Sequence, residues 1–128
     1  MNKISDKTVL ICDDEINIRE SIRYAVEKEG YQYKMVADGI AAYNTANSVK
    51  PDLVILDVGM PGMTGYEVCK KLRELPEMKQ TKILILTAYG QASDKIKAFE
   101  AGATDFMTKP FSPRELRLKL NELLAEKI

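Results

Sequence analysis

Short apolar runs alternate along this chain with stretches whose apolar residues recur every three or four positions. "TVLICD" (8–13), "YQYKMVA" (31–37), "DLVILD" (52–57), "KILILTA" (82–88) and "DFMTK" (105–109) have the length and content of strands. Between them, "INIRESIRYAVEKEG" (16–30) sets Ile18, Ile22, Ala25 and Val26 on one helical face and stops at Gly30. "GIAAYNTANSV" (39–49) predicts a helix closed by Lys50 and Pro51. "GYEVCKKLREL" (65–75) predicts one that turns Tyr66, Val68, Cys69 and Leu72 inward, with Pro76 after it. "ASDKIKAFEAG" (92–102) ends at Gly102. "SPRELRLKLNELLAEK" (112–127) opens with Ser112 as N-cap, Pro113 at the first helical position and Glu115 completing a capping-box pattern. Its apolar stripe is Leu116, Leu120, Leu123 and Leu124.

Five strand–helix units with no linker, repeat or low-complexity tract make residues 1–128 read as a single α/β domain. Such alternation implies a parallel sheet with helices on both faces, and right-handed crossovers leave few ways to wind it. The second strand is the most polar, which places it at an edge and favours the doubly wound order 2-1-3-4-5. A sheet of this order opens its ligand crevice between strands 1 and 3, outside their carboxyl ends.

Composition narrows the function. The 128 residues carry 19 basic and 19 acidic side chains, a balance that lacks the positive excess of a nucleic-acid or membrane-surface binder. No apolar stretch approaches the ~20 residues of a membrane span and "MNKISDK" has no signal-peptide core, so the expected compartment is the cytoplasm. Cys12 and Cys69 read as small buried hydrophobes. The chain has no histidine, which excludes imidazole-based catalysis, imidazole-bound zinc and any phosphohistidine carrier.

The candidate chemistry sits at the strand ends. Strand 1 ends at Asp13 and Asp14, strand 3 at Asp57, strand 4 at Thr87 and strand 5 at Lys109, so four of five strands deliver polar groups to one rim. Two carboxylates 4 Å apart repel by ~4 kcal/mol at an effective dielectric of 20. Protonation or a hard divalent cation relieves that, and magnesium accepts a few carboxylates while keeping its waters. A magnesium site beside a carboxylate, a hydroxyl and a lysine is equipped for phosphoryl transfer, with Asp57 the central nucleophile. A plain Asp57–Lys109 ion pair is the simpler alternative; it leaves the acid pair unneutralised and Thr87 unused.

The set "ICDDE", "DLVILDVGMPGMTGYE", "ILILTA" and "GATDFMTKPFSPREL" resembles the receiver domain of two-component response regulators over essentially the whole chain. The resemblance implies a flavodoxin-like receiver fold in which Asp57 takes a phosphoryl group from a phosphohistidine on a sensor histidine kinase or histidine phosphotransfer protein. Acetyl phosphate is an alternative donor. It implies Mg2+ (with Mn2+ as a substitute) held by Asp13, Asp14, Asp57 and the Gly59 carbonyl, with Thr87 and Lys109 on the phosphoryl oxygens. It further implies a switch in which Thr87 swings toward the phosphoryl group and Phe106 turns inward. The output face would be helix 4, strand 5 and helix 5, carrying Lys95, Asp105, Arg117 and Lys119 and open to a transient homodimer. A permanently packed Phe106 and a solvated charged face are the plainer readings of those residues. Gly59 departs from the commoner pattern of a covering side chain there, and Tyr89 stands at the other position that tunes phosphoryl lifetime.

Three other readings keep the fold. A haloacid dehalogenase-like phosphatase resembles a pattern with a second aspartate two residues after the nucleophile, where this chain has Gly59. A receiver that binds partners without phosphorylation fits poorly with five intact site positions. A nucleotide-binding flavodoxin-like protein would need a glycine-rich loop after strand 1. "TKPFSPREL" looks most like receivers joined to DNA-binding winged-helix domains, and the chain as given, ending after helix 5, contains no DNA-binding element.

Overall fold

The computed structural model describes residues 6–88 and 90–125. β1 (Thr8–Cys12), α1 (Ile16–Lys28), β2 (Gln32–Val36), α2 (Gly39–Val49), β3 (Leu53–Asp57), α3 (Gly65–Arg73), β4 (Lys82–Thr87), α4 (Ala92–Glu100), β5 (Asp105–Thr108) and α5 (Pro113–Leu124) follow in strict alternation. The five strands pair in parallel in the order β2-β1-β3-β4-β5, as the polarity of the second strand predicts.

The period-2 alternation of the strands sorts their side chains into two cores. Val9, Ile11, Leu53, Ile55, Leu84 and Leu86 pack with Ile22 and Val26 of α1 and Leu116, Leu120 and Leu124 of α5. Leu10, Cys12, Val54, Leu56, Ile83 and Ile85 pack on the other face with Ala42 and Ala46 of α2, Val68, Cys69 and Leu72 of α3, and Ala98 of α4. Burying a large aliphatic side chain stabilises by about 1.5–3 kcal/mol. β3, buried at every position, is thereby the most firmly held strand. Both cysteines are free and buried, as composition suggests.

Several elements end earlier than the sequence pattern implies. α1 stops at Lys28 because Gly30, at φ +86°, already leaves the helix. α3 stops at Arg73, and a 3-10 turn, Pro76–Met78, follows that no periodicity predicts. The reciprocal capping box forms at Thr64 and Glu67 of α3 (3.1 and 3.2 Å). At α5 the Ser112 hydroxyl accepts from the Glu115 N–H at 3.0 Å. The end of the predicted last helix, beyond residue 125, lies outside the described residues.

Arg73 ties the back of the α3–α4 layer together. Its guanidinium donates to the carbonyls of Gly102 (2.8 Å), Met78 (2.7 Å) and Thr81 (2.7 Å) and to the Thr104 hydroxyl (3.2 Å). Gly102 is at φ +99°, and a Cβ there would lie 2.7 Å from Arg73 Cγ, so glycine suits both the turn and the clamp. Arg73→Ala leaves these acceptors without their charged donor. Denaturant unfolding is expected to show a loss of about 2 kcal/mol, read as a lower midpoint at unchanged slope.

Candidate functional site

Strand parity decides which side chains meet at the rim. Asp13 lies two residues beyond Ile11, Asp57 two beyond Ile55 and Lys109 two beyond Met107, all on the α1–α5 side. The three converge: Lys109 Nζ lies 2.8 Å from Asp57 Oδ1 and 3.1 Å from Asp13 Oδ2. Thr87 continues the other face, two beyond Ile85, and Phe106 pairs in register with Ile85 on that same face. The acids and the ammonium therefore gather on one side of the cleft, and Thr87 and Phe106 on the side of α3 and α4.

Asp13 and Asp57 are 0% and 5% exposed and Thr87 is 3% exposed, while Asp14 is open to solvent. One oxygen each of Asp13, Asp14 and Asp57 falls within 4.8 Å of the others. Asp13 Oδ1 accepts from the Glu15 N–H at 2.9 Å. Its Oδ2 is buried against the Lys109 ammonium at 3.1 Å, which it shares with Asp57. A buried carboxylate oxygen with a shared ammonium, beside two further carboxylates, fits a hard divalent cation with oxygen ligands.

The electrostatics agree. Burial first, and the charge of Asp57 after it, push the Asp13 carboxyl above its ordinary value against the pull of the Glu15 N–H and Lys109. Burial works to lower the Lys109 ammonium, but its contacts with Asp57 and Asp13 outweigh it and hold the group above its ordinary value. A single ammonium between two buried carboxylates leaves negative charge uncompensated.

The loop after β3 completes the cleft. Gly65 opens α3 directly against the strand end: a Cβ on it would lie 2.5 Å from the Asp57 carbonyl oxygen. Gly65→Ala is expected to push α3 off the strand, costing about 1–3 kcal/mol of stability and weakening metal binding, which titration calorimetry would register. Gly59 is different. A Cβ there would meet only Asp57 Oδ2, at 3.8 Å, so the approach to Asp57 is uncovered on that side.

The cleft encloses a cavity of about 370 Å3 lined by Asp14, Asp57, Gly59, Thr87 and Lys109, and also by Tyr66, Asp94 and Lys97. The last three are additions to the sequence reading. Tyr66 is half-buried at the start of α3 and faces the cleft instead of belonging wholly to the core. The signal for Asp94 and Lys97 is topological: α4 begins five residues after β4 ends, so its first turns border the rim.

At the opposite edge, Phe106 is half-buried, with its ring edge-to-face on Phe99 (6.2 Å, 81°) and Lys95 Nζ 5.8 Å from its centroid. Lys119 is ion-paired with Asp105. Arg117 does not join them. It lines the groove between α1 and α5 with Ile18, Tyr24 and Lys28. Two residues along a helix turn about 200°, so Arg117 and Lys119 of α5 cannot share a face. Tyr89 lies outside the described residues.

Among the described residues no helix is long and apolar enough to cross a membrane. The family model for the response regulator receiver domain matches residues 9–121. The chain is 43% identical over 119 residues to the alkaline phosphatase synthesis transcriptional regulatory protein PhoP of Bacillus subtilis, covering 93% of the chain and 49% of that protein. It is 42% identical over 118 residues to the phosphate regulon transcriptional regulatory protein PhoB of Pseudomonas aeruginosa, covering 92% and 52%. The chain thus spans about half the length of these curated relatives. Among solved structures, chemotaxis response regulator CheY4 of Vibrio cholerae superposes with a TM-score of 0.89 at 36% identity, over 94% of this chain and all of that one. The receiver domain of sensor histidine kinase PA1611 from P. aeruginosa PAO1, with magnesium coordinated in its active-site cleft, superposes at 0.86 with 26% identity, over 95% and 100%. A match that runs from β1 into α5, carried by relatives above 40% identity and by whole-chain superposition, admits one assignment: the chain belongs to the response regulator receiver domains, the phosphoacceptor modules of two-component signalling.

Proposed function

We propose that Asp57 is the phosphoacceptor. The observation that carries this is the convergence on its carboxylate of the Lys109 ammonium at 2.8 Å and two further carboxylates, in a cleft left open by Gly59. An Asp57 oxygen attacks phosphorus, the bond to the donor imidazole nitrogen breaks, and the imidazole leaves with a proton from solvent. With acetyl phosphate the bond to the acetyl oxygen breaks and acetate leaves. The donor histidine belongs to a sensor histidine kinase or histidine phosphotransfer protein, since residues 1–128 hold no histidine.

Asp13, Asp14 and Asp57 would hold Mg2+, or Mn2+ in its place, with the Gly59 carbonyl as a further oxygen. The magnesium in the cleft of the P. aeruginosa receiver supports the choice of ion. When bound, the cation offsets charge on the phosphoryl oxygens. Lys109 places its ammonium against the same oxygens, and the β3 strand end holds Asp57 still for attack. Thr87, on the α4 side, provides a hydroxyl to the aspartyl phosphate. That group carries roughly −2 of charge, and its arrival biases Thr87 and Phe106, which share a sheet face, and through them the surface of α4, β5 and α5. Lys95, Asp105 and Lys119 mark that surface, which a second copy or an attached output domain would read in the cytoplasm. The transcriptional regulators among the relatives favour an attached domain. The reading makes 1–128 one signalling domain that acts on no separate substrate.

Borohydride trapping tests the acceptor directly. Hydride reduces an acyl phosphate to a primary alcohol with release of phosphate, so treatment after acetyl phosphate should convert Asp57, located by peptide mass mapping, to a two-carbon hydroxyethyl side chain. Reduction at any other carboxylate would sink the assignment.

A further inference from the structure

Two polar atoms on the α3–α4 side of the cleft have no use in the acceptor chemistry. Tyr66 Oη and Asp94 Oδ2 are both buried, neither meets full hydrogen-bond geometry with a described residue, and both belong to side chains lining the cavity that holds Asp57 and Thr87. One is a donor and the other an acceptor. Their proximity has an electrostatic trace: burial first, and the Asp94 charge second, hold the Tyr66 phenol above its ordinary value, against the Thr87 hydroxyl. Buried polar groups are rarely left unmatched, so an arrangement in which these two bond is the better satisfied one. Asp94 also has a second difficulty. It presents a carboxylate to the cavity where an aspartyl phosphate would add like charge, with Lys97 and Lys109 the cations among the described lining residues.

We propose that Tyr66 is a positioning residue for phosphoryl acceptance and acts on Asp94: in the charged site the Tyr66 hydroxyl donates to Asp94, seating the first turn of α4 and screening its repelling carboxylate from Asp57. This rests on Asp57 as the acceptor. α3 and α4 are thereby tied across the cleft only when the acceptor is loaded, which links Asp57 to the helix of the output face.

The test is a double-mutant cycle with beryllofluoride, a phosphoryl mimic, titrated in saturating Mg2+ and followed by the backbone amide resonances of α4. Asp94→Ala, which removes the repelling charge, is expected to tighten beryllofluoride binding about three- to tenfold. Asp94→Asn, the gentler variant for the fold, should do the same. Tyr66→Phe, which leaves Asp94 unscreened, is expected to weaken binding about three- to tenfold alone and to have no effect on Asp94→Ala. Equal Tyr66→Phe effects in both backgrounds, or unchanged affinity in Asp94→Ala, would overturn the proposal. Wild-type protein that binds Mg2+ but no beryllofluoride would overturn the acceptor role of Asp57 and this inference with it.

Discussion

Replacing Lys109 with methionine is expected to slow phosphoryl uptake from acetyl phosphate about ten- to a hundredfold while tightening magnesium binding. The two effects have one cause. Lys109 Nζ sits 2.8 Å from Asp57 and 3.1 Å from Asp13, where it competes with a cation for the same charge and offers an ammonium to the phosphoryl oxygens. Methionine keeps most of the length of the side chain and removes the charge. The acid cluster then attracts a divalent ion more strongly, yet the transferring group loses a preplaced positive partner, a loss that typically costs one to three decades in rate. Opposite signs separate this outcome from damage to the fold, which would weaken both. Calorimetric titration with Mg2+ and a single-turnover mass time course measure the pair. If uptake proves as fast as in the wild type, Lys109 is a structural counter-ion and no more.

Asp13→Asn should produce the mirror image: about a hundredfold weaker metal binding and a more stable metal-free domain, by about 1–2 kcal/mol at neutral pH. Asparagine can still accept from the Glu15 N–H, and it removes a carboxylate that is 0% exposed. The sign of the pH dependence follows from the raised Asp13 value. Above the ordinary carboxylate range the unfolded chain has released this proton while the folded chain still keeps it. Metal-free stability therefore falls as pH rises through that window, until the folded group has also ionised. Asp13→Asn should flatten this slope. Added Mg2+ should restore wild-type stability at neutral pH, by about 2.7 kcal/mol at a hundred times its dissociation constant, and do little for the variant. Thermal unfolding at several pH values, with magnesium or with a chelator, reads all of this. An Asp13→Asn variant less stable than the metal-free wild type would show that Asp13 is already well compensated by Lys109.

The topology was legible because the signals behind it are additive along whole elements. Four aliphatics in a row at 53–56 and the polar second strand settle the centre and one edge of the sheet without any tertiary information. Boundaries are less legible because ladder pairing and cap geometry end an element, not apolarity. Ala88 and Lys109 continue apolar or extended runs but lie past the last registered pair, Thr87 with Thr108. That the acids, the hydroxyl and the ammonium share one cleft was readable because strand ends in a parallel sheet all reach one rim. Tyr66 and Asp94 were not, since each sits in a first helical turn where its period also suits a core residue or a solvated acid. Arg117 was misplaced for a related reason: charge on a helix says nothing of its face, and only the packing of Leu116 and Leu120 fixes which way α5 is turned.

The most direct measurement is intact-protein mass after incubation with acetyl phosphate, with and without magnesium, on the wild type and Asp57→Asn. A gain of one phosphoryl group that requires magnesium and vanishes in Asp57→Asn is the expected result. Equal phosphorylation of Asp57→Asn, or a gain indifferent to magnesium, would contradict a phosphoacceptor built on Asp57 and its neighbouring acids.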